Sequence, residues 1–438
     1  MRLRYWARLL AAFIVRFRVI IFAGIIFGLI AFATAMLVIP RFFTNSKEYI
    51  GITGRYHADE LPNFILNMLG SGLTKVNEKG EIVSGLAEKW ESNESGTEWT
   101  FQIKDGLYWH DNSKVDANTI NYSFEDTKVE KLDSMTIKFS LSSPFSPFPS
   151  VVSKPAFKRG LLGTGEWKVA NLRLAGSYVK ELVLVNHNKE KKIFRFYPSE
   201  DSTKIAYQLG QIDKIFDISN PSPFDTWDNT IITEIIKKNR IVALFFNNES
   251  KIFKGPENKP LRQALSYAID KENFNGPRAL GPISPNSWAF NPLIKDYDYD
   301  IDHARKISKD YPKNFEINLA TSAALLSVAE KVADYWKNLD IVTKIHVVSF
   351  LPEEYDVFLA VYDTPIDPDQ YSIWHTTQKG TNISKYTNPR IDRLLEEGRV
   401  TINAEERKKI YLDFQRFLLE DAPAIFLYHP ISYNIARK

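Results

Sequence analysis

The feature that most restricts this chain lies near its start, where twenty-one consecutive residues without a charge separate Arg18 from Pro40. At a rise of ~1.5 Å per residue, a helix of that length matches the ~30 Å hydrocarbon core of a bilayer. The segment that opens at Val19 and closes at Ile39 is therefore expected to cross the lipid bilayer once. Arg2, Arg4, Arg8, Arg16 and Arg18 precede it with no acid among them. The positive-inside rule then puts residues 1–18 in the cytoplasm and everything after Pro40 outside. Ala33-Thr34-Ala35 has the small-residue form of a signal-peptidase site. A signal h-region is only ~7–15 residues long, whereas the apolar run here continues to Ile39, so the reading is a retained single-pass anchor in the cell membrane.

That leader also accounts for the charge balance: the chain is +3 overall, with +5 before Pro40 and −2 after it. No basic patch with interleaved aromatics follows, which argues against nucleic acid as a partner. The absence of cysteine removes disulfides, thiolate metal sites, cysteine nucleophiles and attachment through a lipidated cysteine. The 7 histidines are scattered without a helical His-x-x-x-His pair, so no metal is expected. No Gly-x-Ser-x-Gly, phosphate-cradling loop or dinucleotide fingerprint occurs, so neither catalysis nor a cofactor is expected.

The chain's 438 residues, 44% of them hydrophobic, suffice for several domains or one large two-lobed body. Trp99, Phe101 and Ile103 alternate with polar residues as a half-buried strand, and Ile137, Phe139 and Leu141 repeat the pattern. Trp90, Trp99 and Trp109 are expected in the core. Asp116 is expected to cap a helix carrying Ile120 and Phe124. Leu261, Ala264, Leu265, Ala268 and Ile269 follow Pro260 at helical spacing. Leu325, Ala329, Val332, Trp336 and Leu339 share another helical face. Asn388-Pro389 and the Asn403/Glu406 pair mark two helix starts, and residues 424–428 form an apolar strand. Helices and strands are mixed throughout, an α/β pattern without repeats.

Four stretches, in order, resemble the solute-binding protein family 5, whose members bind peptides, and sometimes sugars or nickel, for ABC importers. The first runs from Gly85-Leu86-Ala87-Glu88-Lys89-Trp90 through Trp99 and Asp105-Gly106 to Trp109-His110-Asp111. The second is Gly163-Thr164-Gly165-Glu166-Trp167. The third is Asn247 with Pro260-Leu261-Arg262-Gln263-Ala264-Leu265. The fourth includes Asp367-Pro368-Asp369-Gln370-Tyr371, Trp374, Tyr386, Asn388-Pro389 and Ala422-Pro423. The resemblance implies a two-lobed, periplasmic-binding-protein-like type II fold with an extra subdomain, here preceded by the transmembrane helix. Lobe I is expected over 45–243, with the subdomain at about 67–159, lobe II over 244–421, and a return to lobe I over 422–438. It further implies ligand between the lobes, hinges near Val242 to Phe246 and Ala424 to Leu427, ABC permease subunits as partners, and a monomeric body. The expected ligand is a short peptide. Alternatives are an oligosaccharide, or a membrane-anchored sensor or chaperone that kept the fold.

In peptide-binding relatives an aspartate just before the Asp-Pro element meets the ligand's N-terminal ammonium, beside an extended strand. Asp363, after Val361 and Tyr362, is the nearest match, one residue further from Asp367-Pro368 than in the best-known relatives. Asp363-Thr364-Pro365 is equally readable as turn chemistry at a strand end. Asp367, Asp369, Tyr371 and Trp374 are expected to shape the cleft wall, with Asn247, Trp288 and, more weakly, His375 as further contacts.

Overall fold

The computed structural model describes residues 47–438 apart from 123, 313 and 314, and of the first 46 residues only 6, 13, 15–20, 22–30, 32 and 34, all helical. Residues 21, 31, 33 and 35–39 of the expected membrane span thus lie outside the described residues. Among those described, no helix is long and apolar enough to cross a membrane.

From β1 (Lys47–Thr53) the chain passes through helix α1 (Asn63–Leu69) into a small hairpin, β2 (Thr74–Val76) and β3 (Ile82–Ser84). It then builds a four-stranded antiparallel sheet from β4 (Ala87–Ser92), β5 (Glu98–Ile103), β6 (Thr127–Lys131) and β7 (Thr136–Leu141), in the order β4-β5-β7-β6. Trp99, Phe101, Ile103, Ile137 and Phe139 are buried on one face of this sheet, as their alternation requires, and Trp109 joins them. The expected helix after Asp116 does not form. The Asp116 carboxylate instead accepts from the amides of Asn118 and Thr119, closing a turn. Ile120 and Phe124 still pack onto the sheet without a helix to carry them. A local Asx hydrogen bond has outcompeted the helical ladder.

The chain returns as β8 (Lys168–Ala175), β9 (Tyr178–Val185) and β10 (Lys191–Tyr197), followed by helix α2 (Glu200–Gln208), β11 (Lys214–Ile218) and β12 (Thr230–Ile236). These join β1 and the C-terminal β18 (Ile431–Arg437) in a seven-stranded sheet, ordered β12-β18-β11-β1-β10-β9-β8. Gly163 and Gly165 press this region onto the end of α1. A Cβ at Gly165 would lie 2.2 Å from the Met68 carbonyl, while its amide bonds the Leu69 carbonyl at 2.7 Å.

The second lobe holds β13 (Arg240–Phe246), β14 (Glu316–Thr321), β15 (Val342–Val347), β16 (Val357–Asp363) and β17 (Ala424–Tyr428), ordered β15-β14-β16-β13-β17. Helices α3 (Lys259–Tyr267), α4 (Ile301–Ser308) and α5 (Leu326–Lys337) cover one face through Leu261, Leu265, Val332 and Trp336. Helices α6 (Pro389–Val400) and α7 (Ala404–Asp421) cover the other through Ile391, Leu395, Phe414 and Leu418. Asn388 and Asn403 cap α6 and α7 with their side chains.

The pairing puts β13 and β17 side by side within the five-stranded sheet, so the expected hinge strands lie inside that sheet and are not themselves the segments that cross between sheets. The crossings between sheets lie at residues 237–239 and 429–430. They are tied to each other by the Lys237 amide on the Pro430 carbonyl at 2.9 Å, and by the His429 ring on the Arg240 carbonyl at 2.8 Å.

Candidate functional site

β16 runs antiparallel to β13 over its whole length, from Phe246↔Val357 to Arg240↔Asp363. Its other neighbour, β14, pairs only from Leu319↔Val357 to Thr321↔Leu359. Among the described residues, nothing therefore pairs with residues 360–363 on that side, and Val361 is 45% exposed. An extended segment with one unpaired edge can accept another strand, because its amides and carbonyls on that side lack partners.

This free edge leads into the loop 364–370, which forms one wall of the space between the lobes. The Thr364 amide and hydroxyl hold the Asn239 carbonyl at 2.7 and 3.0 Å, so the loop starts at a crossing segment. Ile366 points out, 52% exposed, into a cavity of about 370 Å³ whose opposite wall belongs to the first lobe. That wall presents the amides Asn63 and Asn67, the hydroxyls Ser71, Ser150 and Ser153, and the ammonium groups of Lys75 and Lys154. Two further cavities extend the cleft. One, of about 460 Å³, is bounded by Thr364, Pro365, Asn286 and Lys238. The other, of about 520 Å³, lies between Trp99 and Ser150 on one side and Trp288 and Arg407 on the other. The lobes touch beside it: the Ser146 amide bonds the Arg399 carbonyl at 2.7 Å and its hydroxyl bonds the Gly398 carbonyl at 3.1 Å.

The acids expected at the site are all matched by arginines. Asp363 pairs with its cross-strand neighbour Arg240 at 2.6 Å, in solvent on both sides. Asp367 receives both terminal nitrogens of Arg407, at 2.7 and 2.5 Å, with both side chains more than nine-tenths buried. Burial works against the Arg407 charge, but Asp367 outweighs it and holds the guanidinium above its usual range. Asp369 pairs with Arg399 at 2.9 Å, and its carboxylate also caps the Tyr371 amide. Asp367-Pro368-Asp369 is thus a loop staple, with its carboxylates directed at α6 and α7.

The aromatic residues divide. Trp374 is wholly buried and donates to Gln370 at 2.9 Å. Tyr371 is sandwiched, with His375 stacked at 3.9 Å and Arg399 over its ring at 4.1 Å. The Tyr362 hydroxyl donates to the Pro282 carbonyl, and burial pushes it well above its ordinary pKa. Trp288 does line the cleft, beneath Arg407 at 5.5 Å. Asn247 is buried at the far end of β13, donating to the Tyr355 carbonyl at 2.8 Å, away from this loop. Among the described residues, no group of three acidic, histidine or cysteine side chains could hold a metal.

Sequence reasoning missed Arg399, Arg407 and the whole first-lobe wall. Arg407 did carry a signal: it shares a helix face with Tyr411, Phe414 and Leu418, and a cation on an apolar face requires a counter-charge. The serines and asparagines carried none.

A family model described as bacterial extracellular solute-binding proteins, family 5 Middle, matches residues 81–384. The probable D,D-dipeptide-binding periplasmic protein DdpA of Escherichia coli (strain K12) is 24% identical over 439 residues, covering 81% of this chain and 80% of its own. The oligopeptide-binding protein AppA of Bacillus subtilis (strain 168) is 23% identical over 462 residues, covering 86% and 84%. Its structure with a nonapeptide superposes with a TM-score of 0.66 at 20% identity, covering 90% of this chain and 94% of that one. The ABC transporter substrate binding protein CtaP from Listeria monocytogenes gives a TM-score of 0.75 at 20% identity, over 90% and 94%. Other relatives are named for heme and glutathione.

Proposed function

The chain belongs to the bacterial extracellular solute-binding proteins of family 5, extracytoplasmic substrate-binding components of ABC importers with no enzymatic activity of their own, and from that premise we propose that it captures short peptides between its lobes and passes them to a permease. The observation that carries the peptide reading is the unpaired edge of β16 at residues 360–363, which leads directly into the cavity-lining residues Thr364, Pro365 and Ile366. A peptide is the ligand class whose own backbone can complete such an edge, and side-chain space beside it then gives selectivity. Neither Trp374, which is in the core, nor Tyr371, both faces of which are occupied, supports the sugar alternative; Trp90, Trp99 and Trp288, which line the cavity of about 520 Å³, are the surfaces on which a sugar could stack.

Asp363 is proposed to meet the ligand's ammonium, sharing its carboxylate with Arg240. Because Asp363 is exposed, the effect is expected near one decade in Kd, ~1.4 kcal/mol, rather than the larger penalty of a dry pair. Calorimetry on free and N-acetylated dipeptides against the wild type and Asp363→Asn tests this. Acetylation should weaken the wild type about tenfold and the variant hardly at all. Equal binding of both peptides to the wild type would remove the ammonium contact.

We further propose that residues 19–39 hold the body at the membrane, arginines inside. Support is the uncharged length alone. Mature protein beginning after residue 35 in membrane preparations would refute it.

A further inference from the structure

The anchor reading, on which this inference rests, limits which surface of the body can meet the bilayer. Residues 40–46 are the whole connection between the uncharged segment and β1. Even fully extended at ~3.3–3.6 Å per residue they reach no more than about 30 Å. The end of the seven-stranded sheet at which β1 begins can therefore lie no further than about 30 Å from the lipid, a distance that lets it rest there.

That end is lined with lysines. β1 and β10 are parallel and start together, with Lys47 opposite Lys191; Lys191 lies opposite Val185, and Val185 opposite Lys168. One row across four strands thus carries three lysines, and Lys189 projects beyond it in the β9–β10 turn. None of these four makes an ion pair among the described residues, whereas Lys192 and Lys214 share Glu48. Acids on the adjoining strands and turns include Glu48, Glu166, Glu190 and Asp213, and Asp228 precedes β12, whose Thr230 pairs with Arg437 at the same end of the sheet. Glu190 is held by Asn186 at 2.7 Å, and Asp213 by the Tyr49 amide at 3.1 Å.

From the short connection and the unpaired lysines together, we infer that lobe I rests this basic sheet end on an anionic bilayer surface. Lysines near such a surface are attracted to its headgroups within a Debye length. The opposite end of β1 leads to α1, whose Asn63 and Asn67 line the ligand cleft. A strand of seven residues spans roughly 20 Å. With the lysine row on the lipid, the cleft would stand that much further out.

The absence of cysteine makes the test direct. Full-length chain is reconstituted in nanodiscs of phosphatidylcholine alone or mixed with phosphatidylglycerol. A single fluorophore is attached through Asn188→Cys, in the turn, or Glu78→Cys, at the cleft, and energy transfer to a headgroup-labelled lipid is measured. Transfer from position 188 should rise with phosphatidylglycerol, exceed that from 78, and fall back in high salt. The triple change Lys168→Glu, Lys189→Glu and Lys191→Glu should abolish the rise, and a circular dichroism spectrum matching the wild type reports that the variant is folded. Equal transfer from 188 in both lipids, with the chain coeluting with the discs, overturns the docking and leaves the anchor standing. A chain that coelutes with neither disc overturns the anchor, and the docking with it.

Discussion

Arg407→Met is expected to destabilise the second lobe by about 3–5 kcal/mol, the range for removing one partner of a buried ion pair. The Asp367 and Arg407 side chains are only 9% and 7% exposed, so the remaining carboxylate would be left largely desolvated at the wall of the cavity that both residues line. The loss would extend past the pair, because Arg407 also holds the Gly398 carbonyl at 2.7 Å. Asp367→Leu should cost a similar amount by stranding the guanidinium. The double change Asp367→Leu with Arg407→Met removes both charges and should recover most of the loss, since matched apolar replacements of buried pairs are often near neutral. Urea unfolding followed by circular dichroism, with m-values compared among the four proteins, reads these terms. Single changes costing under about 1 kcal/mol, the range of an exposed pair, would refute the claim that this pair staples the loop. Strictly additive losses in the double variant would refute it too, because coupling is the signature of direct contact.

Three further outcomes are expected. Ser146→Ala removes the hydroxyl bond to Gly398 and leaves the amide bond to Arg399, withdrawing about 1 kcal/mol from the lobe contact. Peptide affinity should fall about fivefold, and unchanged affinity in calorimetry would show that this contact does not support closure. Lys271, whose ammonium meets the Ser266, Ile269 and Tyr297 carbonyls, is pushed down to about 7, first by burial and then by Arg278. Its folded value lies below its unfolded one, near 10.4. The unfolded chain therefore binds more protons between those values, and stability should rise with pH across that window. Comparing urea midpoints at pH 6.5 and 9 (roughly the ends of the accessible window) in the wild type and Lys271→Met should show a rise that the variant lacks; equal rises would sink the assignment. Gly165→Ala should destabilise by about 1–3 kcal/mol through overpacking against the Met68 carbonyl, and an unchanged thermal midpoint would show that the backbone yields freely.

Local pattern determined much of this architecture. The alternation of Trp99, Phe101 and Ile103 specified a half-buried strand because side chains alternate faces with period two. Asn388 and Asn403 announced α6 and α7 because a short polar side chain can satisfy the free amides of a first turn. The Asp367-Pro368-Asp369 element marked the loop beside the cleft. Tertiary structure decided what those residues face. Asp367 and Asp369 turn to Arg407 and Arg399, 40 and 30 residues away in sequence. Trp374 enters the core, and the opposing wall assembles from α1, the β2 strand and the turn around Ser150. Such contacts pair residues of large sequence separation, and hydroxyl and amide side chains look alike in a loop or in a wall. The free edge of β16 follows from where β14 stops, a property of register between strands that no residue in β16 itself encodes.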